Sequence, residues 1–336
     1  MKNIKHYFAG ANTGIGFSNF FDYILDKEKD GYEYVIKGGP GTGKSTFMRK
    51  IGEYFIKKGE PVEYFYCSSD FDSLDGVRLA DRNICVVDGT APHVIEANVP
   101  AVADKIINVG EHISDDIAKN KTEITKLIAD TKTLFDIAYG FISIAATALK
   151  LSLALTESKD FDAEAKAKEY ILNARVGVTD APARVRKLYI STINENGLFS
   201  IANKNNYKKI YKVIGSESES AKIMEEIKKV LIEDGHAITV SQNPLVGDVL
   251  DFVEIPALNT LFVREGSVIS GENKDILQFC ADTVKTYTGK AGASLLTAKQ
   301  VHRKLEEYYV KNVNFEKLDE LCKKVIAEIE ERIKNN

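Results

Sequence analysis

The sequence predicts an α/β protein: a parallel sheet of the βαβ kind, present twice, with a helical extension after each copy. Three observations carry that expectation. Strand-like and helix-like patterns alternate through the first 110 residues. A glycine-rich stretch, residues 38–45, lies between a strand pattern and a helix pattern. The chain also matches itself at a constant offset of 176 residues, which sets Gly59 against Gly235.

Taken in order, residues 33–37 (EYVIK) read as a short buried strand running into glycines. Residues 44–58 carry apolar side chains at Phe47, Met48, Ile51, Tyr54 and Phe55, a helical period closed by Gly59. Residues 61–67 (PVEYFYC) and 83–88 (NICVVD) read as two further strands, which suggests parallel crossovers. From about 110 to 173 the pattern is helical, charged at first and then apolar. The self-match runs without gaps from Val35/Tyr211 to Val87/Val263, with identities that include Gly39/Gly215, Met48/Met224, Ile51/Ile227, Asp72/Asp248, Leu74/Leu250 and Asp75/Asp251. Upstream, Tyr7, Phe17 and Ser18 meet Tyr189, Phe199 and Ser200 at an offset of 182. Residues 297–334 are helical again. The expected blocks are therefore a sheet domain at 1–110, a helical extension at 111–180, a second sheet domain at 181–290 and terminal helices at 291–336.

Bulk properties narrow the partners. With 336 residues, 44% of them hydrophobic, the chain is long enough for two cores. Lys and Arg total 45 against 49 acids, a net charge of −4, so the basic surplus of a nucleic-acid binder is missing. The basic run 204–212, with Tyr207 and Tyr211, reads as a solvated edge leading into a strand. Four cysteines (Cys67, Cys85, Cys280, Cys322) lie too far apart for metal-ligand spacing, and Cys67 and Cys85 fall in apolar runs. Reduced thiols and an N-terminus without an apolar leader suggest a cytoplasmic protein. Residues 135–155 are apolar but include Asp136 and Lys150, and are read as a buried bundle helix, with no membrane partner.

The chemistry concentrates in Gly38-Gly39-Pro40-Gly41-Thr42-Gly43-Lys44-Ser45, which satisfies G-x-x-x-x-G-K-[ST]. Glycines let successive backbone N–H groups converge on phosphate oxygens, and the following helix adds the positive end of its dipole. The cradle is expected to run through Thr46. Lys44 is expected to reach the terminal phosphates and the Ser45 hydroxyl to ligate Mg²⁺. Asp88 ends an apolar strand, where a second acid can hold Mg²⁺. No Glu follows it, which argues against a fast ATPase motor. ATP with Mg²⁺ is the expected ligand. Asn120-Lys121-Thr122-Glu123 only approximates a guanine-reading motif and lies in a helical region, so ATP is favoured over GTP.

The second copy sorts the remaining acids. Gly43, Lys44 and Ser45 pair with Glu219, Ser220 and Ala221, and Asp88 pairs with Arg264, so the second copy should not hold a triphosphate. Asp70 pairs with Val246, whereas Asp72 and Asp75 persist as Asp248 and Asp251. On that comparison Asp72 and Asp75 are structural, and Asp70 joins Lys44 and Asp88 as a catalytic candidate. His93, opposite Ile269, is a further candidate.

The segments HYFAGANT (6–13), the 38–45 loop, CSSDFDSLDG (67–76) and VDGTAPH (87–93) together resemble an uncharacterised bacterial family of tandem P-loop ATPase-like proteins. RVRKLYISTI (184–193) looks like the start of that family's second unit. The resemblance implies P-loop NTPase-type sheets and ATP binding. It gives no substrate, and an acceptor or protein partner stays open between a slow ATPase, a small-molecule or nucleotide kinase, and an ATP-dependent switch. In that family the second unit often looks as if it carries its own P-loop, and this chain departs there.

Overall fold

The computed structural model describes residues 4–158, 160–266, 269 and 273–335. In chain order the elements are β1 (Ile4–Phe8), β2 (Gly10–Thr13), β3 (Gly16–Asn19), β4 (Tyr32–Lys37), α1 (Lys44–Lys57), β5 (Val62–Tyr66), β6 (Leu74–Leu79), β7 (Ile84–Asp88), β8 (Asp104–Asn108), α2 (Lys121–Leu155) and α3 (Ala163–Ala174). They continue with β9 (Arg184–Lys187), β10 (Ser191–Asn194), β11 (Gly197–Ser200), β12 (Lys209–Ile214), α4 (Glu217–Glu233), β13 (Ala237–Gln242), β14 (Leu250–Ile255), β15 (Thr260–Glu265), α5 (Lys274–Val310) and α6 (Phe315–Asn335).

The protein is α/β, but its sheets are mixed where a parallel sheet was expected. The first has the order β1-β5-β6-β7-β4-β8, and in it β6 runs against its neighbours. The reason is loop length. Seven residues separate β5 from β6 and four separate β6 from β7. A parallel crossover needs a dozen or more, so both links must be hairpins. The second sheet has the order β9-β13-β14-β15-β12, with β14 reversed in the same way. The register shift in the first sheet lies between Phe65 and Tyr66, and in the second between Ser241 and Gln242. Asn83 and Asn259 both turn with positive φ, 49° and 48°.

The chain divides into two units that interleave along the sequence, where the expected blocks ran consecutively. One comprises Met1–Ala9, Asn19–Ile137 and Ser294–Asn336; the other comprises Gly10–Ser18 and Ala138–Ala293. In the first unit every residue of β5, β6 and β7 is buried, as both faces of the sheet are covered. Phe47, Met48, Ile51 and Phe55 form the buried stripe of α1. The other side of α1 meets α6, which buries Leu318, Cys322, Val325 and Ile329 at helical spacing. Lys50 pairs with Asp319 at 2.5 Å, and Tyr54 donates to Glu330 at 2.8 Å. So the terminal helix, which follows the second sheet in sequence, packs with the first.

The reverse holds in the second unit. There α3, which follows the first sheet in sequence, joins α4 in one core: Ala167, Ile171 and Ala174 with Ile223, Met224, Ile227 and Leu231. The hairpins β2–β3 and β10–β11 also belong to this unit, and Asn12 donates to the Ile193 carbonyl at 2.7 Å. Helix α2 buries Ala138, Ile142, Ala145, Ala146, Ala148, Leu149 and Ser152, but exposes Ile137, Ile144 and Leu151. It was expected to be buried and is buried on one face only. By length and composition the helix over 115–155 that contains it is the one described helix apolar enough to cross a membrane, and 39% of an 18-residue apolar stretch within it is buried.

Candidate functional site

Strand pairing brings the expected residues together. β4 and β7 are parallel neighbours with Ile36 opposite Asp88. The chain leaving β4 into the glycine loop and the acid ending β7 therefore emerge at one edge of the sheet. Within the loop Gly41 and Gly43 have φ of 67° and 84°, where a β-carbon would add strain. The buried Thr42 hydroxyl donates to the Gly39 carbonyl at 2.7 Å and holds the turn. α1 then starts at Lys44 with Gly43 as N-cap. No side chain caps it and its first turn contains no acid. A helix start of that kind leaves N–H groups and positive dipole available to an anion.

The Lys44 ammonium donates to the Gly38 and Gly39 carbonyls at 3.0 and 2.8 Å and lies 3.6 Å from Asp88 Oδ2. Asp88 Oδ1 accepts from the Thr90 amide at 2.9 Å and from the Thr90 hydroxyl. Ser45 Oγ accepts from the Leu74 amide at 3.0 Å. Pro40 is part of the same turn, and Thr46 lies exposed in the first turn of α1.

Because β6 is antiparallel, it starts at the edge where β4, β5 and β7 end. That puts Asp75 into the site, although the comparison of the two copies had set it aside as structural. Asp75 is buried, and desolvation together with the Asp88 charge pushes its carboxyl well above the ordinary value. His93 Nε2 lies 3.7 Å from Asp75 Oδ1, and Nδ1 is 3.0 Å from the Thr90 carbonyl. Its ring stands edge-on to Phe21 at 4.6 Å between centroids, and burial pushes its imidazole below the usual value. Asp72, by contrast, has an exposed side chain and contributes its backbone carbonyl to Arg49 at 2.9 Å.

Asp70 lies at the margin. It accepts from Lys299 at 2.6 Å and from the Ser73 hydroxyl at 2.7 Å. Burial alone would raise the Asp70 carboxyl, but these two donors hold it below its ordinary value. Lys299 belongs to α5, which also lies against the loop. A β-carbon on Gly39 would meet the Tyr309 ring at 2.3 Å, and one on Gly41 would meet the Glu306 carbonyl oxygen at 2.9 Å. No local sequence signal announces these contacts, since α5 is more than 200 residues further along.

At the corresponding place in the second sheet the loop does not exist. Only Gly215 and Ser216 join β12 to α4, against six residues between β4 and α1. Ser216 caps α4 by accepting from the Glu219 amide at 3.2 Å, and Glu219 Oε2 accepts in return from the Ser216 amide at 3.0 Å. Arg264, opposite Asp88 in the self-match, pairs with Glu217 at 2.5 Å and with Asp251 at 2.9 Å, its side chain 7% exposed. The persistence of an acid at Asp251 is thus explained by Arg264.

The four cysteines carry free thiols. Among the described residues, no group of three or more His, Cys, Asp or Glu is placed to hold a metal. Comparison with protein families, with curated proteins and with solved structures finds no match.

Proposed function

We propose that the chain binds one Mg·ATP through residues 38–46, and that the two sheets descend from an internal duplication of a P-loop NTPase-type unit in which only the first copy kept its phosphate loop. The observation that carries the reading is the loop itself: two left-handed glycines, an uncapped helix start, and the Lys44 ammonium beside Asp88 at one sheet edge. This donor set suits a polyphosphate with a hard divalent cation, because Mg²⁺ is bound by one or two protein oxygens plus substrate phosphates, with no all-protein cage. Ser45 Oγ and Asp88 would hold the ion. Ser45 keeps a second lone pair after accepting from Leu74. Mg²⁺ supplies neutralisation of charge on the transferring phosphoryl group. Lys44 would leave the Gly38 and Gly39 carbonyls for phosphate oxygens, and Asp70 would stand near the acceptor. The duplication rests on the matched strand orders, the shared reversed strand and the coincident register shift.

The reaction is slow hydrolysis or phosphoryl transfer to a small acceptor. A second reading, an ATP-dependent switch with little turnover, is favoured by the contact of α5 with Gly39 and Gly41. Calorimetry with Mg·ATP tests the binding. Lys44→Ala should weaken it at least about a hundredfold, consistent with loss of a charge-assisted phosphate contact, and leave the far-ultraviolet circular dichroism unchanged. Equal affinity in the folded variant would sink the assignment. A phosphate-release and phosphotransfer screen then separates turnover from switching.

A further inference from the structure

We infer that Lys299 is the residue that distinguishes a nucleoside triphosphate from a diphosphate, by leaving Asp70 for the terminal phosphate when the 38–45 loop is filled. This rests on the reading of that loop as a nucleotide site.

Three observations place Lys299 for that task. Its ammonium is 2.6 Å from Asp70 Oδ1 and 3.8 Å from Asp72 Oδ2, with the side chain only 12% exposed. Asp70 is linked to the metal-side hydroxyl through a short chain of contacts: Ser73 donates to Asp70, and the next amide, that of Leu74, donates to Ser45 Oγ. The helix carrying Lys299 is held against the loop further along, where Glu306 and Tyr309 close on Gly41 and Gly39. Lys299 and Glu306 are seven residues apart, two turns or about 10 Å along one face of α5. The same helical face therefore lies over the loop at one point and at another carries a cation to the acid that Ser73 and Leu74 link to Ser45.

The charges favour an exchange of partner. Lys299 faces two carboxylates, one of them on the exposed Asp72 side chain. A terminal phosphate offers several oxygens and more negative charge than either. A lysine has a flexible stem and three donors, so it can change partner without moving its helix. A diphosphate leaves no group there, and Lys299 stays with Asp70. An ion pair that served only to fasten α5 would have no such preference.

The test is calorimetry on the full chain with Mg·ATP and Mg·ADP, for the wild type, Lys299→Ala, Lys299→Arg and, to keep the aliphatic stem, Lys299→Met. Loss of one charge-assisted contact should weaken ATP about tenfold to hundredfold in the Ala and Met variants. ADP should change by less than about twofold, and Lys299→Arg should retain most of the preference. Parallel loss for both nucleotides, no loss for either, or failure of both Ala and Met variants to fold would assign Lys299 a structural part and overturn the inference. The loop reading fails separately: its sign is a wild-type chain that binds neither nucleotide, or Lys44→Ala that binds both as before.

Discussion

Asp75 is the residue whose meaning changed most between sequence and structure. An acid kept in both copies of a repeat reads as scaffolding, and Asp251 is indeed tied to Arg264. At Asp75 the cation is replaced by Asp88, so two carboxylates and an imidazole whose burial disfavours its charged form share a buried edge with Lys44. The identity of each residue was legible; the reversal of partner was not, because it depends on which strand ends meet. A consequence can be measured. The folded value of Asp75 lies above its ordinary 3.8, so the native state holds a proton that the unfolded chain releases. Its ionisation therefore costs stability as pH rises from about 4 toward the folded value. Asp75→Asn should raise the melting temperature at pH 8, and the gain should shrink as the pH approaches 4. A drop at pH 8 would mean that the carboxylate charge is needed in place.

Among the elements, β4, α1, β5 and β7 were legible to within a residue or so, since the strands are short, mostly apolar runs and α1 repeats its apolar residues at helical spacing up to Gly59. β6 was missed. Its sequence, LDGVRL, carries Asp and Arg in a strand buried along its whole length, which apolar patterning alone cannot recognise. Arg78 is tolerated because it pairs with Glu63 directly across the β5–β6 register at 3.0 Å. Missing β6 turned a mixed sheet into an expected parallel one and hid the route by which Asp75 reaches the site. Likewise helix was expected after each sheet, but nothing in the spacing says that α6 would pack on α1 or α3 on α4. Periodicity reports that a helix has an apolar face and is silent on what covers it. Where an element end is closed by its own residues, the cost of opening it follows. Ser216→Ala removes the N-cap of α4 and one half of its reciprocal pair with Glu219, and should cost about 1 kcal/mol, read as a lower urea midpoint. An unchanged midpoint would mean that Arg264 and Glu217 hold that end alone.

Over the whole molecule the two sheets share one strand order but differ where the strand meets its helix. In the first, six residues intervene between strand and helix, and α1 starts late, uncapped and without an acid in its first turn. In the second, α4 starts three residues earlier on the self-match, with Glu217 and Glu219 in its first turn and a complete capping box. That extra turn of helix occupies the positions that form the glycine loop in the first sheet. Any anion brought there would meet two carboxylates and would compete with Glu217 and Asp251 for Arg264, a cation already satisfied and nearly buried. Ser220 stands where the self-match sets Lys44, and Lys222 is turned to Glu157 and the Ser158 carbonyl. On this basis calorimetry or equilibrium dialysis with Mg·ATP should find one nucleotide per chain, and Arg264→Met should not change that number, since the helix and not the arginine closes the site. Two equivalents per chain in the wild type would place a nucleotide where the second sheet leaves no loop to hold it.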